Sequence, residues 1–559
     1  MSKEVCHYGE RCYRKNPDHL AQYQHPVMKR RAAEDSDSSS KVAKTTPPVS
    51  EAPAPDWLDG YCFTTVKGLV EAESVRSMSM ADIMSLEPEQ PLLSSVHFSY
   101  VMSLSWLLDE MPPERRSKPM LVVLGREEAA ELRVEANELG LKNVSVAAAP
   151  LPIPYGTHHT KGHILRFTTG IRIIIHTANL YAPDWLLKTQ GIYVSPLLRP
   201  LAEDETEAET ESSTGFRAAY IRYLKSYNLK AFDSLIQALR RHDFRPVKAI
   251  LIGSVPGYHI GPSLNAWGHL SLRKALKASS AKADAAWPAV AQFSSIGSLG
   301  KTPGQWLTGE FLTSLTSTSA SSSLGPAKTL KLIYPCVEDV RNSLEGYLAG
   351  GSLPYATATA SKQPWLRNFL HRWSADGAKR SKASPHLKPA SSPGFETSST
   401  DGLRKELSGV RSPCISRLGN YLAGGSLPYA SATASKQPWL RNFLHRWSAD
   451  GAKRSKASPH LKSYARISGD GREIAWMLIT SANLSKAAWG QLQKNNSQLM
   501  IRSYELGVLF LPNEAGAVHP GCPPWDTALK PYQADDQPWV KDAVYKAPDS
   551  HGDTWPPTE

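Results

Sequence analysis

Two phrases built from the same residue types stand far apart in this chain. His159-Thr160-Lys161 is followed by Thr177-Ala178-Asn179-Leu180, and His460-Leu461-Lys462 by Ser481-Ala482-Asn483-Leu484. Asn follows His by 20 residues in the first phrase and by 23 in the second. Two imidazoles, two ammonium groups and two carboxamides could converge on one tetrahedral anion. Lysine neutralises its charge, asparagine donates to its oxygens, and the histidines divide the nucleophile and acid roles. Such a set suits phosphoryl transfer without a metal. Neutral imidazole attacks phosphorus near pH 7 and later leaves, and an imidazolium protonates the departing oxygen. A lone His-x-Lys says little in a chain with 17 histidines; a surface loop explains it as well. The echo of x-Ala-Asn-Leu at similar spacing carries the reading.

Residues held this way need rigid elements behind them. The apolar runs 171–175 and 476–479 read as buried strands that lead into each Asn. Sheets of α/β proteins commonly place their chemistry at strand ends. Further strands are expected over 121–125, around Ile164, and over 249–253, 330–334 and 505–511. Residues 216–241 carry helical periodicity with basic positions at Arg217, Arg222, Lys225, Arg240 and Arg241. The acidic stretch 202–213 reads as a mobile loop, and the Ser/Thr-rich stretch 313–323 as another. Strands alternate with helices in both halves, which predicts an α/β protein with domains over 56–247 and 248–559. Before them come a Cys/His unit over 1–26 and a Ser-, Pro- and Ala-rich linker over 27–55, expected to be disordered. The basic triplet Lys29-Arg30-Arg31 fits a nuclear import signal or a solvated linker equally.

Composition bounds the partners. The 559 residues hold 64 Lys and Arg against 52 Asp and Glu, a net charge of +12. That balance favours a polyanion. Six cysteines are too few for a disulfide framework: Cys6 and Cys12 form one cluster, and Cys62, Cys336, Cys414 and Cys522 are scattered. No run of 18 apolar residues occurs, so no membrane span is expected. The polar start does not read as a secretory signal. A monomer is expected.

The phospholipase D superfamily builds one active site from two His-x-Lys motifs, one per half of the chain. Most members carry an Asp shortly after the Lys; here Arg166 and Ile467 stand there. The chain resembles instead the eukaryotic tyrosyl-DNA phosphodiesterases. The resemblance rests on Tyr155-Gly156-Thr157-His158-His159-Thr160-Lys161, Lys188-Thr189-Gln190-Gly191, Ser294-Ser295-Ile296-Gly297-Ser298-Leu299-Gly300, the run 480–490, Arg502-Ser503-Tyr504-Glu505-Leu506-Gly507, and the tail motifs Gln537-Pro538-Trp539 and Lys546-Ala547-Pro548-Asp549-Ser550-His551-Gly552. It implies two similar phospholipase D-like α/β domains related by pseudo-twofold symmetry. It also implies a nuclear DNA repair enzyme that hydrolyses 3′-phosphotyrosyl and other 3′-blocking adducts, with no catalytic cofactor. By that resemblance His159 is the nucleophile that forms a phosphohistidine, and His460 the proton donor and then acceptor. Lys161, Lys462, Asn179 and Asn483 would hold phosphate oxygens, while Gln190 and Glu505 would orient the histidines. The substrate would be DNA with a blocked 3′ end, single-stranded or in a nicked or broken duplex, contacted by Tyr155, Ser295 and Ser298. A Gly-containing Ser loop can offer hydroxyl and backbone donors to phosphates, and an aromatic can pack on a terminal nucleotide. His158, His163 and His176 read as structural.

Cys6, Cys12, His19 and His25 offer two thiolates and two imidazoles within a segment too short to build a core, which implies a tetrahedral zinc. Their spacing differs from that of fingers that read DNA. Cys6-His7-Tyr8-Gly9, Cys12-Tyr13-Arg14-Lys15-Asn16-Pro17 and His25-Pro26 resemble the PBZ finger, which implies poly(ADP-ribose) as a partner. Tyr8 and Tyr13 could stack an adenine, and Arg14 could pair with a pyrophosphate.

One feature fits no fold rule. Residues 347–388 recur as 421–462, 74 residues later, and only Thr357 against Ser431 differs. Structural repeats drift in sequence and recur several times; this one reads as a recent duplication or an assembly error of the gene. The first copy supplies an extra His386-Leu387-Lys388, followed by Pro389 and a Ser/Pro-rich spacer. The second runs directly into the Asn483 strand, which favours His460 and Lys462 as the working pair. Two other readings stay open: a general phospholipase D-type nuclease or lipase, and a poly(ADP-ribose)-binding scaffold whose catalysis the duplication has disabled.

Overall fold

The structure is a computed structural model. It describes residues 60–69, 77–279, 286–317, 330–371, 456–471, 473–511 and 535–556, a few positions between them, and two short strands near the start. Residues 1–54 and 55–559 are separate compact units. In the first, Glu4–Val5 pairs in parallel with Tyr23–Gln24. The zinc-ligand candidates Cys6, Cys12, His19 and His25, the polymer-contact candidates Tyr8, Tyr13 and Arg14, and the linker 27–55 lie outside the described residues.

The second unit is built on two sheets of the same design. The first holds β1 (Tyr61–Thr64), β2 (Ser77–Met78), β3 (Leu92–Phe98), β4 (Met120–Leu124), β5 (Val144–Ala148), β6 (Gly162–Phe167), β7 (Ile171–His176) and β8 (Gly191–Val194). The second holds β9 (Ile250–Ser254), β10 (Ala289–Gln292), β11 (Leu330–Ile333), β12 (Leu370–His371), β13 (Lys462–Ile467), β14 (Ile474–Thr480) and β15 (Glu505–Phe510). Their orders are β2-β1-β8-β7-β6-β3-β4-β5 and β9-β15-β14-β13-β10-β11-β12. From β1 or β9 onward both sheets make four antiparallel pairings and then two parallel ones. The molecule therefore carries an internal pseudo-twofold. In each half an antiparallel hairpin, β6–β7 or β13–β14, brings its His-x-Lys beside its Asn at one end of the sheet.

The strand sequences explain the packing. Ile173 and Ile175 of β7 and Met477 and Ile479 of β14 belong to one core cluster, with Tyr193, Leu461, Ala465 and Val508. Their neighbours Ile174, Trp476 and Leu478 face outward into two further clusters, one under each sheet. Strands covered on both faces read as continuous apolar runs, which is why 171–175 and 476–479 lack clean alternation. The one charge in the first run, Arg172, is bound by Glu87 and by the Ser195 carbonyl. Gly191 sits where the sheets touch: a Cβ there would lie 2.8 Å from Ile479 Cγ2.

Three expectations need correction. Residues 216–241 are two helices, Phe216–Ser226 and Asp233–Arg240, because Asn228 takes φ 49° and Tyr227 turns to stack on Tyr504 with centroids 4.2 Å apart. The acidic stretch 202–213 is tied down by the basic residues of that region: Glu205 to Arg245, Glu207 to Arg240 and Glu211 to buried Arg217. Of 313–323, residues 313–315 are helical, the end of Leu312–Leu315, which continues a wide turn, Leu307–Phe311.

The duplicated segment is shared between its copies. The first copy fills the core with Tyr347, Leu353, Tyr355, Leu366, Phe369 and Leu370, and its strand β12 pairs with β11. The second copy supplies Arg454 and residues 456–462, which run into β13. Residues 372–453, including His386 and Lys388, lie outside the described residues. Among the described residues no helix is long and apolar enough to cross a membrane.

Candidate active site

Each histidine is pinned by the opposite half of the chain. The His159 N–H donates to the Tyr504 carbonyl at 3.0 Å, and the His460 N–H to the Thr189 carbonyl at 3.1 Å. The next residues, Glu505 and Gln190, then hold the rings. His159 Nδ1 lies 2.9 Å from Glu505 Oε2, and His460 Nδ1 lies 3.0 Å from Gln190 Nε2. A hydroxyl aims each of these partners. Ser481 Oγ accepts from Leu506 N–H and donates to Glu505 Oε2 at 2.5 Å; Thr177 Oγ1 accepts from Gly191 N–H and donates to Gln190 Oε1 at 2.7 Å. Gln190 Nε2 also donates to the Asp184 carbonyl, which fixes the amide orientation.

These contacts set the tautomers. Glu505 is a carboxylate, held below its ordinary pKa by His159, then by Lys161 and Ser481, against the upward push of burial. It only accepts, so the His159 proton sits on Nδ1 and Nε2 is a bare lone pair. Gln190 presents a donor, so neutral His460 carries its proton on Nε2. Burial holds His159 below the ordinary histidine range, with Glu505 opposing it, and holds His460 well below, reinforced by Lys462. Lys161 is pushed down to about 8 by burial, and Lys462 well below its ordinary value by burial and Lys161. The two ammonium groups donate to the carbonyls of their own histidines, His159 and His460.

The two asparagines are held differently. Asn483 Oδ1 accepts from Ser294 N–H at 3.1 Å and Ser295 N–H at 2.9 Å, so its NH2 is turned away from the loop. Asn179 Nδ2 donates to Asp184 Oδ2 at 2.9 Å, and its Oδ1 is buried without a partner. Ser295 thus spends its N–H on Asn483 and its hydroxyl on the Pro354 carbonyl at 3.0 Å; Ser298 is exposed. Tyr155 is 93% exposed at φ 60°. Gly156 beside it admits no side chain, since a Cβ would meet the Arg502 carbonyl at 2.2 Å. His158, His163 and His176 are buried, and their rings bond the Ser99 carbonyl, Tyr227, His97 and one another.

Four contributors escaped sequence reasoning. The hydroxyls of Thr177 and Ser481 were in view as the variable position of x-Ala-Asn-Leu, and their shared chemistry was the signal. Asp184 and Tyr100 sit in no motif. The Tyr100 ring lies 5.6 Å from the His159 ring and 5.8 Å from Lys161 Nζ.

Residues 61–394 and 414–545 match the family described as tyrosyl-DNA phosphodiesterase. The chain belongs to the tyrosyl-DNA phosphodiesterase family. It is therefore a phosphodiesterase of the hydrolase class with a phospholipase D-like fold, and residues 3–27 match the PBZ domain, a zinc finger. The Caenorhabditis elegans "Probable tyrosyl-DNA phosphodiesterase" is 33% identical over 513 residues, 89% of this chain and 92% of its own length. Tyrosyl-DNA phosphodiesterase 1 of Drosophila melanogaster is 31% identical over 469 residues, 80% of this chain and 68% of its own. A crystal structure of a yeast tyrosyl-DNA phosphodiesterase mutant has a TM-score of 0.57, covering 86% of this chain and all of that one at 20% identity, a likeness of fold.

Proposed function

We propose that this enzyme releases tyrosyl and related groups from DNA 3′ ends through a phosphohistidine, in DNA repair in the nucleus. The observation that supports this reading is the unequal pair of Nδ1 partners, carboxylate on His159 and amide on His460. His159 Nε2 attacks phosphorus and forms the P–N bond. The P–O bond to the tyrosyl group breaks, and His460 delivers a proton to that oxygen. His460 then takes a proton from water, the water oxygen attacks phosphorus, and the P–N bond breaks to leave a 3′ phosphate. Lys161 and Lys462 balance the phosphate charge, and an anion between them would offset the burial that depresses them. The NH2 groups of Asn179 and Asn483 donate to phosphate oxygens, and Tyr155 stacks on the terminal base.

On this reading positive charge comes from the two lysines, and the reaction needs no metal. The finger, with Cys6, Cys12, His19 and His25 on zinc, brings the enzyme to poly(ADP-ribose) through Tyr8, Tyr13 and Arg14. The catalytic body comprises the domains 56–247 and 248–559 and works as a monomer. A 3′-phosphotyrosyl oligonucleotide in excess chelator tests the chemistry: the expected product is a 3′-phosphate strand, formed at the rate seen without chelator. Loss of cleavage by a folded catalytic body would overturn the metal-free scheme.

A further inference from the structure

His460 has a second neighbour at the nitrogen that Gln190 contacts. Asp184 Oδ2 lies 3.3 Å from His460 Nδ1. The same oxygen accepts from Asn179 N–H at 2.8 Å and from Asn179 Nδ2. Its other oxygen, Oδ1, is bound by Lys188 Nζ at 3.0 Å, and Lys188 lies 3.4 Å from buried Glu345. Asp184 is fully buried, in the short helix Ala182–Leu186 that follows the first Asn. Five residues after the second Asn the chain has Ala488, so the pseudo-twofold does not repeat this carboxylate.

The asymmetry has a chemical use. An imidazolium donates from both nitrogens. Gln190 alone would set its own N–H against the Nδ1–H of a protonated His460, which disfavours the acid form. A carboxylate oxygen on the same nitrogen gives that proton an acceptor. We propose that Asp184 is the positioning residue that lets His460 exist as an imidazolium, and that it thereby governs protonation of the leaving group. The other charged groups facing His460 are Lys462 at the start of β13, Lys161 just before β6, and Lys188 in the two-residue strand Lys188–Thr189; all three oppose its protonation. Asp184 is the one anion of that set, and it holds its charge through His460 and Lys188. Through Asn179 it also couples the acid to the phosphate grip.

The proposal rests on His460 as the acid and predicts a dependence on leaving group. A tyrosyl oxygen, pKa about 10, needs a proton as it departs, whereas a 4-nitrophenyl oxygen does not. Asp184→Asn should lower kcat/KM on a 3′-phosphotyrosyl oligonucleotide by about 10²–10³-fold, the range of general acid catalysis. The same strand ending in a 3′-(4-nitrophenyl) phosphate should be cleaved at nearly the wild-type rate. The alkaline limb of the tyrosyl profile should move to lower pH. Adding Gln190→Glu, which returns a carboxylate to Nδ1, should restore much of the tyrosyl rate. Should Asp184→Asn not fold, Asp184→Ser, which can still accept from Asn179, takes its place in both assays. An equal fall on both substrates, or no fall on either, overturns the proposal. His460→Asn run in parallel separates the two readings: if it too fails to discriminate between leaving groups, the acid assignment falls; if it discriminates and Asp184→Asn does not, only the role of Asp184 falls.

Discussion

At the scale of single residues, the side chains that hold the two histidines differ by one functional group. A hydroxyl from x-Ala-Asn-Leu aims a Gln in one and a Glu in the other, and each holds the far histidine. The His, Lys and Asn residues, Gln190 and Glu505 were legible because they repeat or sit in dispersed motifs. Asp184 was not, since a lone acid in a five-residue helix has no period and no echo. Glu505→Gln should leave the fold intact but remove the charge that keeps the His159 proton on Nδ1. Formation of the phosphohistidine should slow by about 10²–10⁴-fold, the range seen when a histidine loses its orienting carboxylate. Rapid-quench gels measure that step; unchanged adduct formation would dismiss the tautomer argument. In contrast, His460→Ala should form the DNA–protein adduct and resolve it slowly, and the adduct should persist on acid-quenched gels.

At the scale of elements, β3, β6 and β7 carry a chain of buried histidines across neighbouring strands. Ser95 Oγ meets His97 Nε2 at 2.8 Å, His97 Nδ1 meets His163 Nδ1 at 2.7 Å, and His163 Nε2 meets His176 Nε2 at 3.0 Å. One proton per link satisfies three neutral rings; an extra proton sets N–H against N–H. Burial pushes His97 and His176 down to about 3 and His163 well below its usual range. These histidines stay neutral in the fold and gain a proton when unfolded below about pH 6.5. The unfolded state then binds more protons, so stability present above pH 6.5 is lost as pH falls toward 3, by about 1.4 kcal/mol per pH unit for each histidine. Urea unfolding of the catalytic body should show a midpoint that drops steeply between pH 6.5 and 5; a flat midpoint there would refute a neutral chain. Strands were legible as apolar runs, but this chain was not, because three histidines at 97, 163 and 176 become neighbours only through strand order. The break at Asn228 escaped for a similar reason: the turn that docks Tyr227 on Tyr504 is a tertiary choice, and periodicity runs straight through it.

At the scale of the whole molecule, sequence showed the duplication and its flanks but could not say which copy packs. The answer is a division of labour: Tyr347, Leu353, Tyr355, Leu366, Phe369 and Leu370 of the first copy lie in the core, and 456–462 of the second deliver His460. Packing decides it, because Glu345 beside Lys188 anchors the start of the first copy and β13 draws in the end of the second. Deleting 389–462 joins Lys388 to Ser463 and puts His386 where His460 now stands. Loop closure entropy grows only with the logarithm of length, so the shortened enzyme should match the full chain in melting temperature and in tyrosyl cleavage. In the full chain His386→Ala should be nearly silent. If it proves more damaging than His460→Ala, the division of labour is wrong. The crossed pinning of the histidines also has a consequence in time. His159 and Glu505 are 346 residues apart. While the chain is being synthesised, His159 emerges long before Glu505, and its ring lacks that partner until β15 docks. On the proposed mechanism, reactivity toward DNA waits for that docking, and a chain truncated before β15 carries most letters of the active site without its chemistry.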